Sequence, residues 1–540
     1  MDPSAFQSLF LAELAALDAF AAAREEERGL PLGREDPDVR RLLEALAFFS
    51  ARTRAAAAEG MREAIRRMAN AVLDELVTPM PAAAMLQVTT DDRMVDPVTL
   101  PRGTLVRAAL PDGRAAIFAI ERTLRILPLR GVEKATIREG TGKRWLEIRI
   151  CARAPLREVF EIDLFVRRLS DYRASLALLD ALEQHVTRAT AVFDPDERGE
   201  DAREMPAALR FGAPPPSLVD DELEVGPLGR TRAFFHSPER DLFLCVRLPS
   251  PGAPFRTVVL KLELDDGFPD DIVPTRENFI PFVVPMVNRW AEPADPILCD
   301  GTRDAYSIRI AAGPLDEVRL TSVRAVYEVG DKGLMPILPA SLARGGDAWE
   351  VEGVEDGAPR LLVKLAGAFT KPRKISVDGL WSQPGLWGTA PGHSQLALRQ
   401  RHLAGVGLRL LGELRGPGPS PLAANPERVL DILARRSRPI ASARDLTGLL
   451  EILGASGQSL YRDMPALIAS LNVREAPDTS RAGGGIKQVY SIGLAPRPPE
   501  DAPLLRAFSR QVAAVLDAWV DNAVEVEMGL NAIKPMLEGH

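Results

Sequence analysis

The sequence predicts a multidomain α+β protein, with long helices at the N-terminus, β-rich domains in the middle and an α+β domain at the C-terminus. Three observations predict it. Apolar residues recur at steps of three and four through 38–76, the period of a helix with one buried stripe. From Ala82 the period falls to two, and it stays short through turn-separated runs as far as 412. Helical spacing returns after Pro426. The length of 540 residues fits about three or four domains of ordinary size. Polar, proline-rich stretches at 193–206, 212–217 and 413–426 punctuate the chain. They divide it into a helical region 1–80, a first β-rich α+β domain 81–205, a second β-rich domain 206–415 and an α+β domain 416–540.

Residues 4–77 read as helix. Leu42, Leu43, Leu46, Phe49, Met61, Ile65, Met68 and Val72 fall on one stripe. Asp36-Pro37 is a start signal and Thr78-Pro79-Met80-Pro81 a stop. Unbroken, this helix would be ~55 Å or more long, longer than a compact domain needs, so its stripe must meet another helix. That helix is either residues 4–28, in an internal hairpin, or part of an intermolecular bundle.

Strands follow at 84–90, 116–124, 145–152 and 159–169, then a helix at 171–184. The second β block holds 241–248, 257–264, 318–329, 360–367 and 405–412. In the tail, Asn425-Pro426 caps a helix at 427–436, a second helix runs 443–453, a strand covers 487–495, and a last amphipathic helix is read over 502–528.

Chemistry is sparse. The net charge of −8 and pI near 5.5 argue against nucleic acid as partner. Cys151, Cys245 and Cys299 stand far apart, as buried reduced thiols of a cytoplasmic protein rather than a disulfide or metal framework. The N-terminus lacks a basic leader region, and no uncharged apolar run of ~18 residues is present, so no membrane insertion is expected. Gly140-Thr-Gly-Lys143 misses both the earlier glycine and the following hydroxyl of a phosphate loop and reads as a hairpin turn. Gly483-Gly-Gly485 precedes a strand, so it offers no helix N-terminus to an anion. His185, His236, His393, His402 and His540 show no metal spacing. Ser456 lacks the frame of a nucleophile elbow, and the acidic loop 265–271 lacks the ligand order of a calcium site. No catalytic residue, cofactor site or metal site is assigned, and the chain reads as an assembly component before an enzyme.

One stretch is too particular to be a generic strand: FVVPMVNRWAEPADPILCDGTRDAYSIRI, 282–310. It resembles the signature of the type VI secretion baseplate subunit family TssF, also called VasA or ImpG. Val284-Pro285-Met286-Val287-Asn288, Trp290, Ala294-Asp295-Pro296-Ile297 and Tyr306 carry the likeness. Residues 36–54 resemble that family's N-terminal helix, and 233–248 its turn into a strand. Arg289 stands where the family has Leu, the turn after the N-terminal helix is reduced to Thr-Pro-Met-Pro, and 366–400 matches poorly. The resemblance implies a protein similar to the wedge protein of contractile phage baseplates. Two copies would join one TssG through a helical bundle entered by Leu42, Leu46 and Phe49. Such wedges would close around the spike hub, with TssK below toward the inner-membrane complex, TssE and the sheath above, and the C-terminal domain pairing wedge to wedge. Pro285, Asn288, Trp290, Pro296 and Tyr306 are then structural. Pro281 and Pro285 suit an edge strand or a sharp re-direction, and Asn288 is expected to hold a local turn. Two other readings stay open: a wedge subunit of another contractile device, and a β-rich carbohydrate hydrolase, which would need a cleft with two convergent carboxylates.

Overall fold

The structure is a computed structural model. It describes residues 3–530 except 29–35, 73–77, 110–113, 141, 158–160, 196–203, 215–225, 311–317, 332, 354–358, 367, 369, 389–394, 400–402, 437, 478–485 and 521–522. It is a mixed helix and strand protein with several β-rich domains.

The N-terminal region is two helices, α1 (Pro3–Arg28) and α2 (Pro37–Val72). Asp36 starts α2 as expected, its Oδ1 accepting from the Asp38 N–H at 2.9 Å. The continuation of the expected helix over 73–77 lies outside the described residues.

A six-stranded antiparallel sheet occupies the middle, in the order Gln395–Leu398, Leu105–Ala109, Ala115–Ile120, Val283–Val287, Ala83–Thr90, Val406–Arg415. A five-stranded sheet is built around Lys143–Leu156 and Phe255–Leu264, and a four-stranded sheet around Glu161–Val166 and Phe243–Arg247. Each of these draws strands from both sides of residue 205, so the linear stretches 81–205 and 206–415 interweave in space. An eight-stranded sheet centres on Arg319–Gly330 and Arg373–Ser382 and carries its own core of Trp290, Ile375, Val377, Leu361 and Trp381. The remaining core is continuous from the C-terminal end of α2 through the first three sheets to helix Ala502–Trp519.

Several elements differ from expectation. The last helix ends at Trp519 rather than 528, and Ala523–Leu530 is a strand parallel to Ile486–Leu494. Val524, Val526 and Met528 alternate with Glu525 and Glu527, and that period of two overrides helical continuation. Ahead of the expected strand at 241–248, which runs Phe243–Arg247, residues 233–236 close a helix not read from the sequence, Pro227–His236, whose buried Leu228, Thr231, Arg232 and Phe235 follow helical spacing. The strand expected at 116–124 stops at Ile120 and resumes at Leu124–Ile126. Part of the expected 193–206 connection is sheet, with Met205 and Pro206 paired to Ala191 and Thr190. The Gly140/Lys143 turn does close a hairpin, those two residues pairing directly.

The signature stretch threads three of these sheets in quick succession. Phe279–Pro281 is an edge strand of the four-stranded sheet, Val283–Val287 lies inside the six-stranded sheet, and Arg289–Pro293 is an edge strand of the eight-stranded sheet. At the first crossing Phe282, although buried, has φ = +57°, a region that bulky side chains rarely occupy. Pro281 sits on an edge, as expected. Pro285 does not, since it pairs with Met85 inside the sheet. Its carbonyl accepts from the Glu121 N–H at 2.9 Å, just past the end of the neighbouring strand at Ile120. In an extended strand the N and O of one residue point the same way. The missing donor of Pro285 therefore faces a place where the ladder has already stopped.

At the second crossing Asn288, buried to 1% exposure, acts at long range and not on its own turn. Its Nδ2 donates to Ile117 O at 2.7 Å and Gln383 Oε1 at 3.0 Å, and its Oδ1 accepts from the Gln383 N–H at 2.7 Å. Gln383 in turn accepts from the Ile117 N–H at 2.8 Å and donates to Ala115 O at 3.1 Å. A backbone bond from Asn288 N to Ala82 O at 2.8 Å completes the knot. Asn288→Ala orphans the Gln383 N–H and Ile117 O, at roughly 1–3 kcal/mol for each buried group. The expected result is a loss of several kcal/mol of stability, read as a lower urea midpoint, and a larger loss for Asn288→Asp, whose second oxygen would face the Ile117 carbonyl.

A second junction joins the middle of the chain to its tail. The hydroxyls of Tyr172 and Tyr461 meet at 2.7 Å in the core, and Gln511 Nε2 lies 3.4 Å from Asp241 Oδ2. Burial lifts the Asp241 carboxyl to about 6, against the pull of Arg240 and Arg510. A raised carboxyl contributes stability below its unfolded value and loses it as pH rises through the folded one. The stability of Asp241→Asn relative to the parent chain should therefore climb between pH 3.8 and about 6 and level off above. Parallel denaturation curves across that range check this; a constant difference would mean the carboxyl titrates normally.

Candidate protein-interaction surfaces

α1 and α2 pack antiparallel, with alanines prominent in the seam and Leu14 and an edge-on Phe6–Phe48 contact at 5.6 Å beside them. Leu14 and Ala21 of α1 and Ala47, Ala51 and Ala55 of α2 are buried. The three alanines recur every fourth residue, which places them in line on one side of the helix. Polar pairs fix the register: Ser50 Oγ donates to Glu13 Oε2 at 2.7 Å, Arg54 pairs with Glu13, and Arg40 Nη1 lies 3.2 Å from Asp18 Oδ2. The Ser50 hydrogen bond, then Arg54, holds the Glu13 carboxyl below its usual range. α1 is long and apolar enough over Phe6–Arg24 to cross a membrane, but a crossing would break these carboxylate pairs with α2.

The internal hairpin therefore forms, yet without the large residues of the expected stripe. Leu42, Leu46 and Phe49 turn outward at 65%, 57% and 63% exposure. Phe20, Met61 and Met68 are exposed as well. Burying one Leu or Phe contributes about 1.5–3 kcal/mol, so covering such a face would be favourable. The signal that separates the two faces was in the sequence as the alanine spacing, which hydrophobicity alone passes over.

The signature residues form no common site. Asn288 and Trp290 are buried, Pro285 is half-buried, Pro296 is exposed, and Tyr306 packs half-buried on the core of the eight-stranded sheet. Trp290 Nε1 donates to Glu292 Oε2 at 2.9 Å, and Trp381 Nε1 to Glu292 O at 2.8 Å.

Sequence reading gave no sign of a groove of about 1030 Å³ where α2, the six-stranded sheet and the eight-stranded sheet meet. Among the described residues, no group of three or more His, Cys, Asp or Glu is placed to hold a metal ion. His393, His402, His540 and Gly483-Gly-Gly485 lie outside the described residues. Cys245 and Cys299 are buried and unpaired and Cys151 is half-buried and unpaired. Burial pushes the Cys245 thiol to about 12 and the Cys299 thiol to about 11, which makes both poor nucleophiles.

The family model for the type VI secretion system protein TssF matches residues 27–350, more than half of the chain. Two solved structures share the fold. One is a chain of a TssK-TssF-TssG baseplate subcomplex of the type VI secretion system, solved by cryo-electron microscopy, with a TM-score of 0.71, 17% identity, and coverage of 93% of this chain and 100% of that one. The other is a chain of the type VI secretion system baseplate complex, with a TM-score of 0.62, 15% identity, and coverage of 97% and 96%. No curated protein matches by sequence.

Proposed function

We infer the function from one premise: the chain belongs to the type VI secretion system TssF family. It is a structural component of the baseplate and not an enzyme. On this reading it is a wedge subunit, similar to the wedge protein of contractile phage baseplates. Two copies join one TssG-like subunit, with TssK and TssE as further partners, and the wedges close around the spike hub to nucleate the sheath. The subunit works on the cytoplasmic side of the inner membrane.

The exposed face of α2 is the observation that carries the reading. Leu42, Leu46 and Phe49 sit at i, i+4 and i+7, the spacing by which a helix enters a bundle. The α1 contact supports them from behind, so the face is pre-organised. The 1–80 region supplies the bundle and the 416–540 region the contact between wedges.

Co-expression with the TssG-like protein of the same genome, followed by light scattering, tests this. A stable complex with two copies of this chain per partner is expected. Leu46→Asp with Phe49→Asp should weaken it on the order of a hundredfold or more, with near-UV circular dichroism of the β domains unchanged. Binding retained by the folded double variant would refute the bundle assignment.

A further inference from the structure

Strand Arg319–Gly330 is not treated alike on its two edges. One edge pairs with Arg373–Ser382 from Arg319 to Glu328. The other pairs with Gly333–Pro339 only from Val326 to Gly330. Past Ile337 that partner turns away and pairs in parallel with another strand, Leu338 opposite Ala348 and Pro339 opposite Trp349. The sheet therefore forks, and the groove of about 1030 Å³ opens in the fork. Arg319–Arg324 form one wall, and Pro339–Ser341 with Trp349–Val351 form the other. α2 reaches across, its Arg66 Nη2 donating to Val351 O at 3.1 Å.

Among the described residues no strand and no backbone hydrogen bond engages the outer edge of 319–325. An unpaired strand edge is a template for another chain. Seven extended residues span about 23 Å, the reach of a short peptide. At about 1030 Å³ the groove has room for a short peptide as well as a small molecule.

Charge selects what can enter. Arg66, Arg289, Arg319 and Arg324 line the groove, against Glu350 as the acidic residue among its lining. Arg324 also lies 3.5 Å from Asp378, and Arg319 is exposed. Register breaks at Thr321 and Arg324 twist the edge. Edge charges of this kind keep like edges apart. A second copy would present the same arginines and be repelled, whereas an acidic strand would be drawn in.

We propose that the fork is a strand-addition site: an extended acidic segment of a partner protein lies in the groove and pairs with the open edge of residues 319–325. This rests on reading the chain as an assembly subunit, and it adds a contact separate from the exposed α2 face.

Hydrogen–deuterium exchange tests it on the full chain, alone and in complex with the TssG-like and TssK-like proteins of the same genome. In the isolated chain, those amides of 319–325 that face away from Arg373–Ser382 should exchange freely at every concentration. In the complex they should become protected, along with α2. The variant Arg319→Glu with Arg324→Gln should leave the complex and the α2 protection intact, while 319–325 loses about tenfold of its gained protection, as expected for removal of complementary charge. Protection of α2 without 319–325 would overturn the strand-addition site and leave the proposed function standing; failure of both would overturn both. Protection already present in the dilute isolated chain would mean its own segments fill the fork. Protection that appears only on concentrating it would mean a second copy does. Unchanged protection in the charge variant would overturn the acidic partner.

Discussion

The pairing of Asn288 with Gln383 is the constraint on which the architecture turns. Asn288 stands where the chain leaves the six-stranded sheet for the eight-stranded one, and Gln383 stands where Arg373–Ser382 ends. Both side chains reach the backbone of Ala115–Ile120. Two sheets are thereby fixed through amides whose donors and acceptors are met by one another. Apolar packing could hold the same surfaces together, but it tolerates sliding. A buried amide accepts one register, since any slip leaves groups unpaired. At the previous crossing Phe282 takes a positive φ, and its carbonyl accepts from the Val88 N–H at 2.9 Å.

How much of this was legible depended on the range of each interaction. The Asp36 and Asn425 caps and the Gly140/Lys143 turn are local, and they are legible in the sequence. The prolines of the signature stretch announced that the chain changes direction. What they could not announce was between which sheets, because the partners of Asn288 lie 95 and 171 residues away. Arg373–Ser382, the spine of the eight-stranded sheet, falls in the stretch that resembled the family least. Its alternation of buried Ile375, Val377 and Trp381 was present but interrupted by Gly379. Ala523–Leu530 was lost for a different reason: an amphipathic helix ran straight into it, and alternation over five residues is weak against eighteen residues of helical period.

The hairpin shows how one helix can divide its residues between two faces. Alanines face the helix of the same chain, where close approach and a few ion pairs suffice for register. The large side chains are kept for the other side. The choice of small residues for the internal contact is what leaves Leu42, Leu46 and Phe49 available, so the weakness of the hairpin seam and the stickiness of its outer face are a single property.

The position of that hairpin along the chain has a consequence in time. α1 and α2 are made well before helix Ala502–Trp519, which contributes Phe508, Val512 and Leu516 to the main core, and before the strand Ala523–Leu530. At ribosomal speeds of roughly 5–20 residues per second, the outward face of α2 stands in solvent on the order of a minute before the tail can complete the fold. A nascent chain in that condition is adhesive before it is finished. Until the tail is made, that face has only α1 to shield it from whatever else is in solution.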